Sequence, residues 1–309
     1  MRIVSRAILV LLFLAAPVMG QVKLDAQTRE ALSWQIALER EGFSPGIIDG
    51  KSGPKLALAT SEYQRRFGLK VTGTLDAATG EALGVGKQEP IQTYAVRARD
   101  EMQVTGTIPK DWVAKSKLSC LGYTSMTDVL AEEFHCTQEL LRRLNPDIKL
   151  DAVFCQYPIT VPAVDIENPK RIRATRLKIH LGQKVIRVLD REGRVAALFH
   201  CSIAKDEAKR PSGTANVVTV ISNPTYLFDP AMWPEVKNVN QKLLIPPGPR
   251  NPVGVCWIAL SLPGYGIHGT PTPEMIGKTG SHGCFRLTNW DAQRLGGMVE
   301  AGMGVEFVK

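Results

Sequence analysis

The run Tyr265-Gly266-Ile267-His268-Gly269-Thr270, followed by Ser281-His282-Gly283-Cys284-Phe285-Arg286-Leu287, decides how this chain reads. An apolar, strand-like stretch ends on His268, and His282 and Cys284 come fourteen and sixteen residues later. Glycines 264, 266, 269, 277, 280 and 283 surround these side chains, so backbone can approach a substrate closely. A thiol attacks as thiolate, and a free cysteine of pKa about 8.5 is mostly protonated at neutral pH. An adjacent imidazole can take that proton and hold an ion pair with the sulfur. Consecutive amides around Gly283-Cys284 suit the oxyanion of a tetrahedral intermediate. This residue set points to acyl transfer through a cysteine. His268, His282 and Cys284 would also make three zinc ligands, but no patterned Glu or Asp base accompanies them; Glu274 is near and unpatterned.

Upstream of that run the texture is β-rich. Residues 173–181, 184–190, 196–204, 216–223 and 255–260 alternate or run apolar with β-branched enrichment, and Gly182 and Gly193 punctuate the first turns. Residues 291–301 read as a helix and 305–308 as a terminal strand. Trp233, Trp257 and Trp290 read as core or groove wall. His135 is expected to end a helix, and His180 and His200 to lie in strands.

Residues 26–88 read as a small helical unit. Ala31, Trp34 and Leu38 share a helical face, Gly42 stops that helix, and Leu56, Ala59 and Tyr63 repeat the spacing. Gly68 ends the second helix, and Asp76 caps a short third one through Leu83. Residues 89–114 hold few core-like positions and read as a linker. In 115–164, two short helices are expected at 128–134 and 138–144, the second capped by Thr137 and stopped by Asn145-Pro146. A closing strand follows at 159–162.

The chain has 309 residues, 44% of them apolar, which permits sizeable cores and excludes global disorder. A net charge of +8 suits an anionic partner without naming one. No Lys/Arg block interleaves with aromatics, so nucleic acid is not expected. Arg2 and Arg6 precede an apolar run at 7–19 that ends in small residues at Gly20. This is the layout of a secretory signal peptide, residues 1–20; an uncleaved anchor is the alternative. The run is short against the roughly 20 residues of a membrane span. Six cysteines, at 120, 136, 155, 201, 256 and 284, would then meet an oxidising compartment. At most one bridge closes within 120–155, and Cys201 and Cys256 are either buried small hydrophobes or a pair.

Three resemblances follow. His268-Gly269-Thr270 and Ser281 through Leu287 resemble the signature of the YkuD-type L,D-transpeptidases, over 171–309. Pro211-Ser212-Gly213 resembles that family's Thr-Pro-x-Gly turn, with Ser212 departing in order. Pro249-Arg250-Asn251-Pro252-Val253-Gly254 resembles its Gly-Pro-x-Asn-Pro stretch. Residues 26–88 resemble a three-helix peptidoglycan-binding domain through Gly42-Phe43, Asp49-Gly50, Gly53-Pro54, Tyr63-Gln64, Gly68-Leu69, Thr72-Gly73, Asp76 and Thr79, with Leu56 where Thr is common. Residues 115–164 resemble a βααβ LysM domain through Leu130-Ala131, Phe134, Leu141, Leu144-Asn145-Pro146 and Val161-Pro162, although Thr124-Ser125-Met126-Thr127 replaces its usual entry turn.

The implied architecture is multidomain: a mainly-β, β-sandwich-like catalytic domain preceded by the three-helix and LysM-like units. The resemblance implies Cys284 as nucleophile and His268 as base, oriented by the Gly269 carbonyl. It implies an oxyanion pocket of His282, Gly283 and Cys284 beside Ser281, and Arg286 as loop anchor or substrate-carboxylate partner. No cofactor and no metal are called for. The expected partner is peptidoglycan, both stem tetrapeptides and glycan strands, met by a periplasmic, cell-wall monomer with no membrane span after signal cleavage. The expected product is a 3→3 cross-link. The same acyl-enzyme would serve an L,D-carboxypeptidase or endopeptidase, or attach a lipoprotein to the wall. An inert wall-binding scaffold is the alternative of another class.

Overall fold

The structure, a computed structural model, describes residues 24–233, 236–281 and 283–309. The expected signal segment and His282 lie outside the described residues.

The first unit is three helices: α1 (Ala26–Glu41), α2 (Pro54–Arg66) and α3 (Ala77–Leu83). Asp25 and Asp76 cap α1 and α3 by accepting the N–H of Thr28 and Thr79. Gly42 ends α1 in the left-handed conformation at φ +96, which glycine adopts without penalty.

The second unit begins in the stretch read as a linker. It comprises β1 (Ile91–Ala95), α4 (Ala98–Met102), α5 (Trp112–Ser116), α6 (Met126–Glu133), α7 (Gln138–Leu144) and β2 (Pro158–Pro162). β1 pairs antiparallel with β2, Ile91 opposite Pro162. Residues 89–114 therefore hold a strand and two short helices. The strand escaped sequence reading because its partner lies more than sixty residues away, and because Tyr94 is its one buried residue, with Ile91 half-buried against the same core. Oδ2 of the fully buried Asp100 accepts from the Tyr94 hydroxyl at 2.7 Å and from the Arg97 N–H at 2.8 Å.

The catalytic part contains β3 (Arg176–His180), β4 (Val185–Leu189), β5 (Val195–His200), β6 (Gly213–Ser222), β7 (Tyr226–Phe228), β8 (Leu243–Ile245), β9 (Cys256–Leu260), β10 (Gly266–His268), β11 (Phe285–Arg286), α8 (Asn289–Gly296) and β12 (Gly304–Val308). Eight strands form one continuous sheet in the order β11-β10-β9-β6-β12-β3-β4-β5. β6 joins its two halves: the start of β6 pairs with β12 and the end with β9, with a register shift between Val217 and Thr219. Both halves contribute to one core, from Leu177, Ile186 and Phe199 to Ile258, Ile267 and Phe285. A sandwich-like core is thus built from a single sheet that changes direction at a bulge. β7 and β8 form a separate ribbon.

The three units are fused. Phe43 runs along the edge strand β5 and bonds it through Ser44 N to Leu198 O at 2.9 Å and Leu198 N to Gly42 O at 3.0 Å. An open sheet edge is thereby covered. Val185 and Leu198 complete the core of the helical unit with Trp34, Leu38, Phe43, Leu56 and Tyr63. Each such fully buried side chain contributes about 1.5–3 kcal/mol. On the other side, Leu121 bonds Pro247 O at 2.8 Å and accepts from Arg250 N at 3.0 Å.

All six cysteines are unpaired. Cys201 and Cys256 sit in the catalytic core as small hydrophobes. Burial pushes their thiols up to about 12 and about 11, which makes them poor nucleophiles. Among the described residues no helix is long and apolar enough to cross a membrane.

Candidate active site

β10 and β11 lie parallel and adjacent, Ile267 opposite Phe285 and His268 opposite Arg286. Side chains alternate along a strand. Ile267 and Phe285 point into the core, where both are fully buried. His268 and Arg286 take the other face, and Cys284 lies in the turn that leads into β11, two residues before Arg286. Trp257 on β9 is the register partner of His268 on the other side, and its indole stacks on the imidazole at 5.5 Å.

The imidazole is fixed by its own chain. Nδ1 of His268 donates to the Gly269 carbonyl at 2.6 Å. That bond leaves Nε2 as the acceptor nitrogen of the neutral ring. Gly269 is in turn held by Gly254 and Asn289. At Gly254 (φ +63) a Cβ would lie 2.0 Å from Asn289 Oδ1 and 2.7 Å from Gly269 Cα, so only glycine fits. This explains the Asn-Pro-Val-Gly stretch as scaffold for the histidine. Asn251, fully buried, turns that stretch by accepting from Val253 N at 2.9 Å and donating to Pro246 O at 2.8 Å.

The turn carrying Cys284 is organised by Ser281. Its Oγ donates to the Cys284 carbonyl at 2.5 Å and accepts from the Gly283 N–H at 3.2 Å. Ser281 is itself anchored, its N–H on Ile203 O at 2.8 Å and its carbonyl on Lys205 N at 3.0 Å. The Cys284 thiol is half-buried and donates to Gly264 O at 3.5 Å. Arg286 Nη1 donates to Gly280 O at 3.4 Å, so the guanidinium ties the loop end to β11.

Burial lowers the His268 pKa to about 4, with Gly269 opposing and Arg286 adding to the shift. Burial also raises the Cys284 thiol, against the Gly266 N–H and Arg286, which favour the thiolate. Both shifts favour a neutral resting pair over the ion pair considered from sequence.

Sequence reasoning missed Tyr226. It stands at the start of β7, its hydroxyl accepting from Trp233 Nε1 at 3.1 Å. Burial raises its pKa; Cys284 raises it further while Arg286 lowers it, which sets the phenol near the thiol and the guanidinium. The one available signal was the density of aromatics at Tyr226, Phe228 and Trp233. The cavity of about 790 Å³ at the junction of the three units is lined by Glu39, His135, Trp290 and Arg294 among others, and does not include Cys284. Among the described residues no three His, Cys, Asp or Glu side chains converge as for a metal ion.

Residues 174–306 match the L,D-transpeptidase catalytic domain. Residues 27–83 match the family described as "Putative peptidoglycan binding domain". The transpeptidase match thus covers the β-rich part that carries His268 and Cys284, and the binding-domain match covers the three-helix unit fused to its edge. The protein named "Putative L,D-transpeptidase YkuD" of Bacillus licheniformis is 29% identical over 176 residues, 57% of this chain and 89% of that protein. Its namesake in Bacillus subtilis is 26% identical over the same shares. The solved structure of the Ldtfm–avibactam carbamoyl enzyme is 20% identical over 49% of this chain and 55% of that one, with a TM-score of 0.33. The chain spans little more than half the length of that enzyme.

Proposed function

We propose that this chain is a peptidoglycan L,D-transpeptidase that works through an acyl-enzyme on Cys284 and forms 3→3 cross-links. The observation that carries the reading is the His268 Nδ1 bond to Gly269 O at 2.6 Å, because it leaves Nε2 as the base for Cys284.

Nε2 of His268 takes the thiol proton as sulfur attacks the carbonyl of the third residue of a donor tetrapeptide. The bond from sulfur to carbon forms and the carbonyl becomes an oxyanion. The Cys284 amide and its neighbours in the turn receive that charge; Gly283 N–H joins them by turning from Ser281 Oγ. The bond to terminal D-Ala breaks, and His268 returns the proton to the departing amine. A side-chain amine of a second stem then attacks the thioester, gives its proton to His268, and releases the thiolate. The neutral resting pair makes this a general-base reaction, with proton transfer accompanying attack. Arg286 fixes the loop end and favours the thiolate.

The match to the binding domain supports peptidoglycan as substrate and the cell wall as the place of action, reached through the signal segment at 1–20. The middle unit is proposed as LysM-like and glycan-binding. Its support is that β1 and β2 pair antiparallel and enclose α6 and α7, with α4 and α5 inserted between β1 and α6. Two wall-binding units on one chain raise the local concentration of substrate.

Purified disaccharide-tetrapeptide, incubated with the mature protein and weighed by mass spectrometry, tests the reading. A cross-linked dimer is expected, lost in Cys284→Ala. Tripeptide alone would reassign the enzyme to hydrolysis. No product and no β-lactam adduct on Cys284 would overturn it.

A further inference from the structure

The loop at 271–280 joins His268 to the nucleophile turn, and its only helical element is a short turn at Pro273–Met275. Its carbonyls are held by cations from three other parts of the fold. Arg250 Nη1 donates to Pro271 O at 2.7 Å, Lys55 Nζ to Ile276 O at 2.8 Å, and Lys184 Nζ to Gly277 O at 3.0 Å. Gly277 N–H donates to Ser202 Oγ at 2.8 Å. The Ser202 backbone pairs with Arg286 at 2.8 and 3.0 Å. One residue therefore registers both the loop and β11.

Lys55 is the outlier of the three. It begins α2 of the peptidoglycan-binding unit, 221 residues before its acceptor. A slot is built for its stem. At Gly46 (φ +85) a Cβ would come within 2.8 Å of Lys55 Cδ, and at Gly277 a Cβ would border Lys55 Cε at 3.6 Å. The acceptor residue is buried, Ile276 being 2% exposed. A hydrogen bond from an ammonium is about twice as strong as a neutral one, and this one ends eight residues before Cys284.

We propose that Lys55 is a positioning residue for the cysteine chemistry. Through Ile276 it holds the loop so that the Ser281–Cys284 turn keeps its amides at the nucleophile. The peptidoglycan-binding unit is then a structural part of the active site as well as a wall anchor. Lys55 touches no reacting atom; it acts through backbone placement, where an error of about 1 Å costs on the order of 100-fold in rate. The proposal rests on the Cys284 and His268 roles given above.

The test uses the full chain with Lys55→Met, which keeps the stem and removes the ammonium, and Lys55→Arg, which restores a cation. Amide hydrogen exchange over 271–286, kcat and KM on disaccharide-tetrapeptide, and sacculus binding are read together. Lys55→Met is expected to exchange faster across 271–286 and to lose roughly tenfold in kcat, a partial misplacement, with KM and sacculus binding little changed. Lys55→Arg is expected to recover most of both. Wild-type exchange and kcat in Lys55→Met overturn the proposal. Loss of sacculus binding with kcat intact also overturns it, assigning Lys55 to wall contact. If the wild-type chain turns over no tetrapeptide, the functional reading fails by itself. Exchange over 271–286 and the alkylation rate of Cys284 then decide: a change supports positioning and none overturns it. Should Lys55→Met not fold, Lys55→Gln takes its place under the same outcomes.

Discussion

Arg187 on β4 pairs with Glu62 on α2 at 2.7 Å, the two side chains only 8% and 4% exposed. The contact crosses from the β-rich part to the three-helix unit. Removing one partner of a buried pair strands the other charge and costs about 3–5 kcal/mol, whereas replacing both with apolar residues is often close to neutral. Glu62→Leu is expected to lower stability by that order in urea denaturation, and Arg187→Met added to it to recover most of the loss. Because the pair and a shared core join the two units, they should unfold in one transition. Separate transitions for the two would refute the fused architecture.

Burial shifts His268 down and Cys284 up, both toward the neutral form, and this sets the direction of the expected pH response. The histidine must be unprotonated to act, so kcat/KM should fall as pH drops through about 4. Stability has the same sign. The folded pKa lies below the ordinary histidine value of 6.5, so the unfolded chain takes the proton first. This contribution is complete above 6.5 and is lost as pH falls toward about 4. Iodoacetamide should alkylate Cys284 slowly at neutral pH, because burial raises the thiol above its ordinary value of 9.0. An acid limb near 6.5 with rapid alkylation at low pH would indicate an ion pair instead.

Asp291 on α8 shows the opposite sign. It is buried, accepts from Ser44 Oγ at 3.1 Å, and is raised to about 7 by burial and by the charge of Glu39. Its protonated form is favoured by folding, so stability is lost as pH rises through that value. Asp291→Asn should flatten stability between about pH 6 and 8, a difference of roughly 1 kcal/mol at the upper end. Chemical denaturation at both pH values checks this; an unchanged slope would assign the alkaline loss elsewhere.

Trp112 on α5 stacks on Phe228 of the β7–β8 ribbon at 4.2 Å and 21°. It also lies 6.3 Å from Tyr226 and 5.8 Å from Trp233. The middle unit therefore braces the ribbon that carries Tyr226 near the thiol. Trp112→Ala should cost about 1–3 kcal/mol, less than a fully buried aromatic because Trp112 is half-exposed. Limited proteolysis should open the chain at 226–245 first, with acylation of Cys284 slowed. Trp112→Phe should restore both.

Local chemistry was legible in the sequence. The stop at Gly42, the caps at Asp76 and Thr137, the helix at 138–144 and most strands of the catalytic sheet rest on side-chain spacing and turn residues within a few positions. The placing of Cys284 after a glycine is equally local, whereas the pairing of His268 with the Gly269 carbonyl was expected from the family resemblance. β1 escaped because its partner is β2, distant in sequence. Tyr226 escaped because only the ribbon's fold brings it near Cys284. The sequence by itself singled out the candidate chemistry-bearing residues, because a motif is a local arrangement. Only the tertiary structure decided that the units are fused, that burial favours the neutral forms of His268 and Cys284, and that Lys55 reaches Ile276. Those depend on burial and on contacts between distant segments, which arise when separate hydrophobic faces close on one another.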